Sequence, residues 1–316
     1  MKKLTKKTLM AIFALVLAVV ALGTTSFAWF TIGQTVSTQQ IELDIRSEDG
    51  LEFQYKGKIA ENDSEWTQYL STADMLAKLG ADYGSTPFAD NFKFDAVTSV
   101  DGKTFKKIKT DGSGLTDAIP ALNVQTLASG ILEFKLNFRT KATGSPKLSW
   151  TGVTLTSTAV PWSPNKTFTH NKETYGTSGT VTPSDEENYY PHDGARVSVT
   201  SGETTVVYEA PNSASNSVLN TGLAPNALDF AKGAHSYYKA MTGKNLSGIF
   251  PVEGTVATDT ELDGTEFKVN FGSVQPDDYR YVEVVIRVYL EGFDLDTFNA
   301  ILSGKIQMAL EFQLTQ

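Results

Sequence analysis

The sequence predicts an all-β protein: an antiparallel β-sandwich, jelly-roll-like, with one or two short helices and long loop insertions. Three observations carry that expectation. Apolar and polar residues alternate with period two in well-separated runs, at 41–46 (IELDIR), 131–139 (ILEFKLNFR) and 306–314 (IQMALEFQL), as half-buried strands require. A near-continuous β-branched and aromatic run at 281–290 (YVEVVIRVYL) reads as a strand buried on both faces. Turn-forming residues separate these runs, with little helical periodicity between them. No fixed-period repeat and no Gly/Ser linker marks a second domain, so residues 41–316 read as one sandwich.

The elements follow in order. Residues 41–46 and 51–56 (LEFQYK) flank Glu48, Asp49 and Gly50, and predict a hairpin. Residues 67–79 have helical spacing through Tyr69, Leu70, Ala73, Met75, Leu76 and Leu79, with Gly80 as the expected stop. The runs at 131–139 and 147–155 (KLSWTGVTL) predict neighbouring strands, with Trp150 in the core. Residues 161–192 are rich in Thr, Ser, Pro, Asn and Gly, and read as a polar surface insertion with short edge strands. Residues 195–200 and 205–209 predict a second hairpin around Ser201 and Gly202. Residues 225–241 hold one short helix, with Leu228, Phe230, Ala231 and Tyr238 on its apolar side. Strands at 266–271, 281–290 and 306–314 close the chain, the turn at 291–296 lying between the last two.

The N-terminus carries a targeting signal. Lys2, Lys3, Lys6 and Lys7 form a positive head, residues 10–23 an uncharged apolar run, and Ser26, Phe27 and Ala28 a small-residue cleavage site. That is the build of a secretory signal peptide. The apolar run falls short of the roughly 20 residues a spanning helix needs. The expectation is export, cleavage after Ala28, and a bacterial secreted or cell-surface location. The alternative is an uncleaved anchor, which would be the chain's one contact with a membrane. The 316 residues carry 27 Lys and Arg against 36 Asp and Glu, a net charge of −9, and losing the signal lysines makes the remainder more acidic. That balance argues against nucleic acid as a partner. The absence of cysteine excludes thiol catalysis, Cys-type zinc and disulfides.

Chemistry-bearing motifs are sparse, and no catalytic residue or cofactor is expected. His170, His192 and His235 fit no His-Glu-x-x-His pattern; a zinc site from His170, His192 and Asp193 is the alternative to solvated loop histidines. Around Ser178 the Gly-x-Ser-x-Gly spacing is missing. Glu291, Asp294 and Asp296 form one acidic cluster and Asp259, Glu261 and Asp263 another. Both read as solvated turns, with calcium or an acid pair as the alternative. Asn62, Asn165 and Asn245 stand in Asn-x-Ser/Thr sequons, meaningful in a eukaryotic secretory path. Trp162, Tyr189 and Tyr190 are candidates for an exposed aromatic platform that would bind glycans.

The segment after the leader is the most specific part. Ala28, Trp29 and Phe30 join the cleavage site directly to aromatics, and residues 33–40 lead through a polar stretch into the strand carrying Ile41, Leu43 and Ile45. This resembles secreted bacterial matrix-fibre proteins of the TasA/camelysin-like group over residues 1–46. The run from Tyr289 to Phe312 also looks like the C-terminal end of uncharacterised secreted proteins of Gram-positive bacteria and their wall-less relatives. This chain carries a larger middle. The resemblance implies a jelly-roll subunit of biofilm matrix that polymerises when the N-terminal segment of one copy completes a neighbour's sheet. Physics supports the same expectation, because a free terminus bearing Trp29, Phe30, Ile32 and Val36 must bury them somewhere. Residues 29–40 are then the donor segment, Ile41, Leu43 and Ile45 seat it, and the partner is a second copy. The alternatives are self-packing of that segment, an adhesin that binds other surface proteins or glycans, and a metallopeptidase-like secreted hydrolase.

Overall fold

The computed structural model describes residues 41–47, 50–57, 65–84, 88, 92, 94, 96–107, 109, 114–116, 131–170, 179–210, 231–245, 262–297, 301 and 304–316. Within them the chain is an all-β sandwich with two α-helices. The first sheet contains β1 (Ile41–Ser47), β3 (Tyr69–Leu70), β7 (Lys147–Ser157), β14 (Lys268–Asn270) and β16 (Ile306–Thr315), in the order β14-β7-β16-β1-β3. The second centres on β15 (Arg280–Glu291). On one side β15 pairs with β12 (Ala195–Ser201), outside which lies β13 (Thr204–Glu209). On the other it pairs with β6 (Leu132–Thr140) and then, past the end of β6, with β4 (Ala96–Ser99). β2 (Glu52–Lys56) flanks β6, and β5 (Phe105–Lys107) flanks β4. The pairing is antiparallel except at β1 with β16 and at β4 with β15.

The chain winds between the sheets in a jelly-roll-like way. Successive strands β1, β2 and β3 lie in alternate sheets, as do β6 and β7, and again β14, β15 and β16. This corrects two local expectations. Residues 41–47 and 52–56 are not a hairpin, because β1 pairs with β16 in one sheet and β2 with β6 in the other, where Ile45 and Phe53 are each buried. Strands β6 and β7 are likewise not neighbours; they belong to different sheets. The hairpin of β12 and β13 forms as expected, Ser201 pairing with Thr204. Strands β15 and β16 are both central in their sheets.

One core lies between the sheets. Phe138 of β6 meets Phe312 of β16 with ring centroids 4.9 Å apart, and Trp150 of β7 meets Tyr208 of β13 at 6.4 Å. Each such ring, fully removed from water, contributes about 1.5–3 kcal/mol. Register on β7 needs a correction in mid-strand. Trp150 and Leu155 are both buried although five residues apart, an odd spacing that would put them on opposite faces. A bulge opposite Glu311 and Phe312 absorbs one residue and returns Leu155 to the core.

Helix α1 (Thr72–Tyr83) buries Met75 and Leu79. It starts at Ser71, whose hydroxyl accepts from the Asp74 N–H. It runs past the expected stop at Gly80, which is buried inside it, and ends at Gly84, where φ is +63° and only glycine is unstrained. Helix α2 (Gly233–Thr242) overlaps the predicted 225–241 region, Leu228 and Phe230 lying outside the described residues, and it packs on the polar insertion. That insertion holds β9 (Phe168–Thr169) paired with β10 (Thr180–Val181), and β11 (Glu187–Tyr189) paired with β8 (Val160–Trp162). Its inner side is apolar: Phe168, Val181 and Tyr189 are buried, and Trp162 and Phe168 pack on Tyr237 of α2.

Candidate functional site

The expected assembly strand is β1. Its parallel register sets Ile41 against Ile306, Leu43 against Met308 and Ile45 against Leu310, and Ile45 is fully buried. On its other edge β1 meets β3 at Ile45 and Arg46, and the Ser47 N–H donates to the Gln68 carbonyl at 2.9 Å. Residues 41–44 therefore have β16 as their one strand neighbour among the described residues. Trp29, Phe30, Ile32 and Val36, with the leader at 1–28, lie outside the described residues.

The other sheet holds a buried polar network that sequence reasoning missed. Arg196 of β12 is 1% exposed. Its Nε lies 2.5 Å from Glu209 Oε2, across the β12–β13 hairpin, and its Nη2 donates to Asp294 Oδ2 at 2.7 Å. Glu291, Asp294 and Asp296 are all buried, which corrects their reading as a solvated turn. The turn is folded inward by its own backbone. The Phe293 N–H donates to Glu291 Oε1 and the Asp296 N–H to Asp294 Oδ1. From outside, the Ala234 N–H donates to the Leu295 carbonyl at 2.6 Å, and His235 Nε2–H donates to the Phe293 carbonyl at 2.8 Å. Gly233 permits that approach, since a Cβ there would sit 2.3 Å from the Leu295 oxygen. Burial, partly offset by the Arg196 charge, pushes the Glu291 carboxyl up to about 7. A second small core of Val97, Phe105, Ile131, Val207 and Tyr289 lies beside this network.

The signal for this network was partly present. A hairpin turning at Ser201 and Gly202 puts Arg196 directly opposite Glu209, so the charge pair follows from the register. Nothing local to β12 points to Asp294, which arrives from a turn 98 residues away.

A third constellation joins the end of β7 to the 3-10 turn Pro191–Gly194. Ser157 Oγ lies 2.7 Å from His192 Nδ1 and accepts the His192 backbone N–H at 3.3 Å. Asp193 Oδ1 lies 3.3 Å from His192 Nε2. Burial pushes the imidazole down to about 4, so the ring is neutral at neutral pH and its contact with Asp193 is not a full ion pair. An ionised carboxylate only accepts, so the tautomer that suits Asp193 carries the ring proton on Nε2 and leaves Nδ1 to accept the Ser157 proton. Proximity of His192 and Asp193 is visible in the sequence; Ser157 comes from another sheet edge and is not.

The remaining expected sites change character. Tyr189 is fully buried, and Trp162 is half-buried and packs edge-on to it at 81° and 5.5 Å. No coplanar platform of Trp162, Tyr189 and Tyr190 forms, because Trp162 packs on Tyr189 and on Tyr237 of α2, whereas Tyr190 packs on His192. His170 is buried rather than solvated. Among the described residues no group of three or more His, Asp or Glu side chains is placed to hold a metal. No helix among them is long and apolar enough to cross a membrane.

Among the described residues, fold and sites define an all-β sandwich in which β1 has a two-residue outer neighbour and the second sheet holds a buried charged network. No known protein family, curated protein or solved structure matches this chain.

Proposed function

We propose that this chain is an exported structural protein of the bacterial cell surface or extracellular matrix, whose copies join into fibres by strand addition. The observation that supports this most directly is the position of residues 41–44: a strand with one neighbour among the described residues, entered by a segment bearing Trp29, Phe30, Ile32 and Val36. Strand addition extends backbone hydrogen bonding along such a margin, and apolar side chains at alternate positions supply specificity. A head-to-tail contact of this kind extends without closing, which gives filaments. The acidic surface sets the balance against association through general charge attraction, so the sheet margin has to provide the adhesion.

The test is removal of residues 29–36 from the signal-cleaved protein. Filaments seen by negative-stain electron microscopy should disappear, while circular dichroism still reports the folded sandwich. Filaments that persist overturn the mechanism. The adhesin reading loses its aromatic platform with the burial of Tyr189.

A further inference from the structure

We propose that Ser157, with His192 as its base and Asp193 as a positioning residue, forms an acyl-accepting nucleophilic site that reacts with small carboxylic esters. Three features of the geometry carry this. The hydroxyl and imidazole are in hydrogen-bond contact at 2.7 Å, within the range general-base transfer needs. The His192 backbone N–H donates to Ser157 Oγ at 3.3 Å, which ties the hydroxyl to the turn that carries the base. The far ring nitrogen faces a carboxylate at 3.3 Å, which holds the tautomer with Nδ1 free to accept. A nucleophile, a base and a group orienting the base are thus in sequence, the arrangement that activates a serine on unrelated folds.

The site is also built to stay in place. Pro191 opens the 3-10 turn and packs against Gly304, where a Cβ would lie 2.1 Å from the proline Cγ. Asp193 is 2% exposed and Ser157 half-buried. The constellation lies at the end of β7, while β1 is at the opposite side of β16 in the sheet. The inference therefore stands apart from the assembly reading.

The step balances as follows. Ser157 Oγ adds to the ester carbonyl carbon as its proton passes to His192 Nδ1. The carbon–oxygen bond to the alcohol breaks, and the Nδ1 proton leaves with the alkoxide as the free alcohol. Ser157 is left as an acyl ester, which water cleaves by the same proton route, returning the hydroxyl and releasing the carboxylic acid.

The experiment treats the purified full chain with a tagged fluorophosphonate, which phosphonylates activated serines with loss of fluoride, and locates the adduct by tandem mass spectrometry. The expected result is an adduct on Ser157 in folded protein and none after unfolding in urea. His192→Gln should slow its formation about 100-fold, the scale of a lost general base. Release of p-nitrophenol from p-nitrophenyl acetate should show a burst that Ser157→Ala abolishes. Three results would overturn the assignment: an unmodified Ser157 in wild-type protein whose melting curve shows it folded, labelling equal in His192→Gln, or labelling that survives unfolding. The wild-type measurement decides the matter even where a variant fails to fold.

Discussion

The two sheets treat their margins differently. In the second sheet, β2 covers β6 only as far as Lys135, and the strip beyond is closed by a side chain. The Tyr83 hydroxyl donates to the Glu133 carbonyl at 2.6 Å and accepts the Glu133 N–H at 2.9 Å, satisfying both edge groups of that residue. Beyond β2 itself, Thr67 bridges Phe53 in both directions. The first sheet has β3, two residues long, along a β1 of seven. An uncovered edge is a template for pairing with another chain. Among the described residues a helix terminus closes the margin beside β6 and a two-residue strand covers part of the margin at β1. Breaking the clamps of the closed sheet should separate what they hold from what the open margin does.

Arg196 is the clamp with the largest expected effect. Arg196→Met removes the charge between two buried carboxylates and leaves both uncompensated, a change of about 3–5 kcal/mol. Urea unfolding should show that loss as a lower midpoint at unchanged slope. A loss below 1 kcal/mol would mean that Glu209 and Asp294 find other partners, and that the network is not what fixes the 291–297 turn.

Glu291 sharpens the same comparison through pH. Its folded value, about 7, lies above the ordinary 4.5. The unfolded chain therefore releases this proton first as pH rises. The native state is unpenalised below about 4.5, and stability is lost as pH climbs through about 7. Glu291→Gln should flatten that slope and stabilise the protein above pH 7 by on the order of 3 kcal/mol. Thermal melts at several pH values between 4 and 8 check it; an unchanged slope in the variant would assign the dependence elsewhere.

Much of this frame was legible because it is written locally. The alternation at 306–314 and the unbroken run at 281–290 mark two central strands, and the Ser201–Gly202 turn registers Arg196 on Glu209. What was not legible depends on the chain crossing between sheets. The short loop after residue 47 reads as a hairpin turn, and nothing in it says that β2 pairs with β6. Gly80 reads as a helix stop because the apolar spacing through Leu79 breaks there, yet Asp82 and Tyr83 have partners 27 and 50 residues away, Tyr55 and Glu133, that extend the helix. Glu291, Asp294 and Asp296 looked solvated for the same reason: the arginine that draws them inward is remote in sequence.

Tyr83→Phe tests edge closure directly. The ring stays packed on Phe88 and Phe92, and the loss is confined to two hydrogen bonds at Glu133. A cost of about 1–3 kcal/mol follows from leaving buried backbone groups unpaired. If closure of this margin is what keeps the second sheet out of assembly, the variant should also form disordered aggregates, seen as rising light scattering, that deletion of residues 29–36 does not prevent. Aggregation abolished by the deletion would place all association at the β1 side.

Arg139 gives the smallest effect and the most local readout. Its guanidinium lies 4.3 Å from the Trp66 ring centroid and 4.2 Å from that of Tyr279, and its Nε donates to Glu52 at 2.7 Å. Exposed ion pairs and single cation–π contacts each contribute about 1 kcal/mol or less. Trp66 precedes Thr67, the residue that bridges Phe53, so Arg139 holds the margin's outermost layer through an aromatic ring. Arg139→Gln should lower global stability by about 1 kcal/mol. Its sharper mark is hydrogen exchange at the Phe53 amide, which donates to the Thr67 carbonyl at 2.7 Å. Local opening made easier by 1 kcal/mol speeds that exchange about fivefold, while amides on β15, bonded on both sides, keep their rates. Equal acceleration at both places would mean that Arg139 supports the whole sheet rather than its edge.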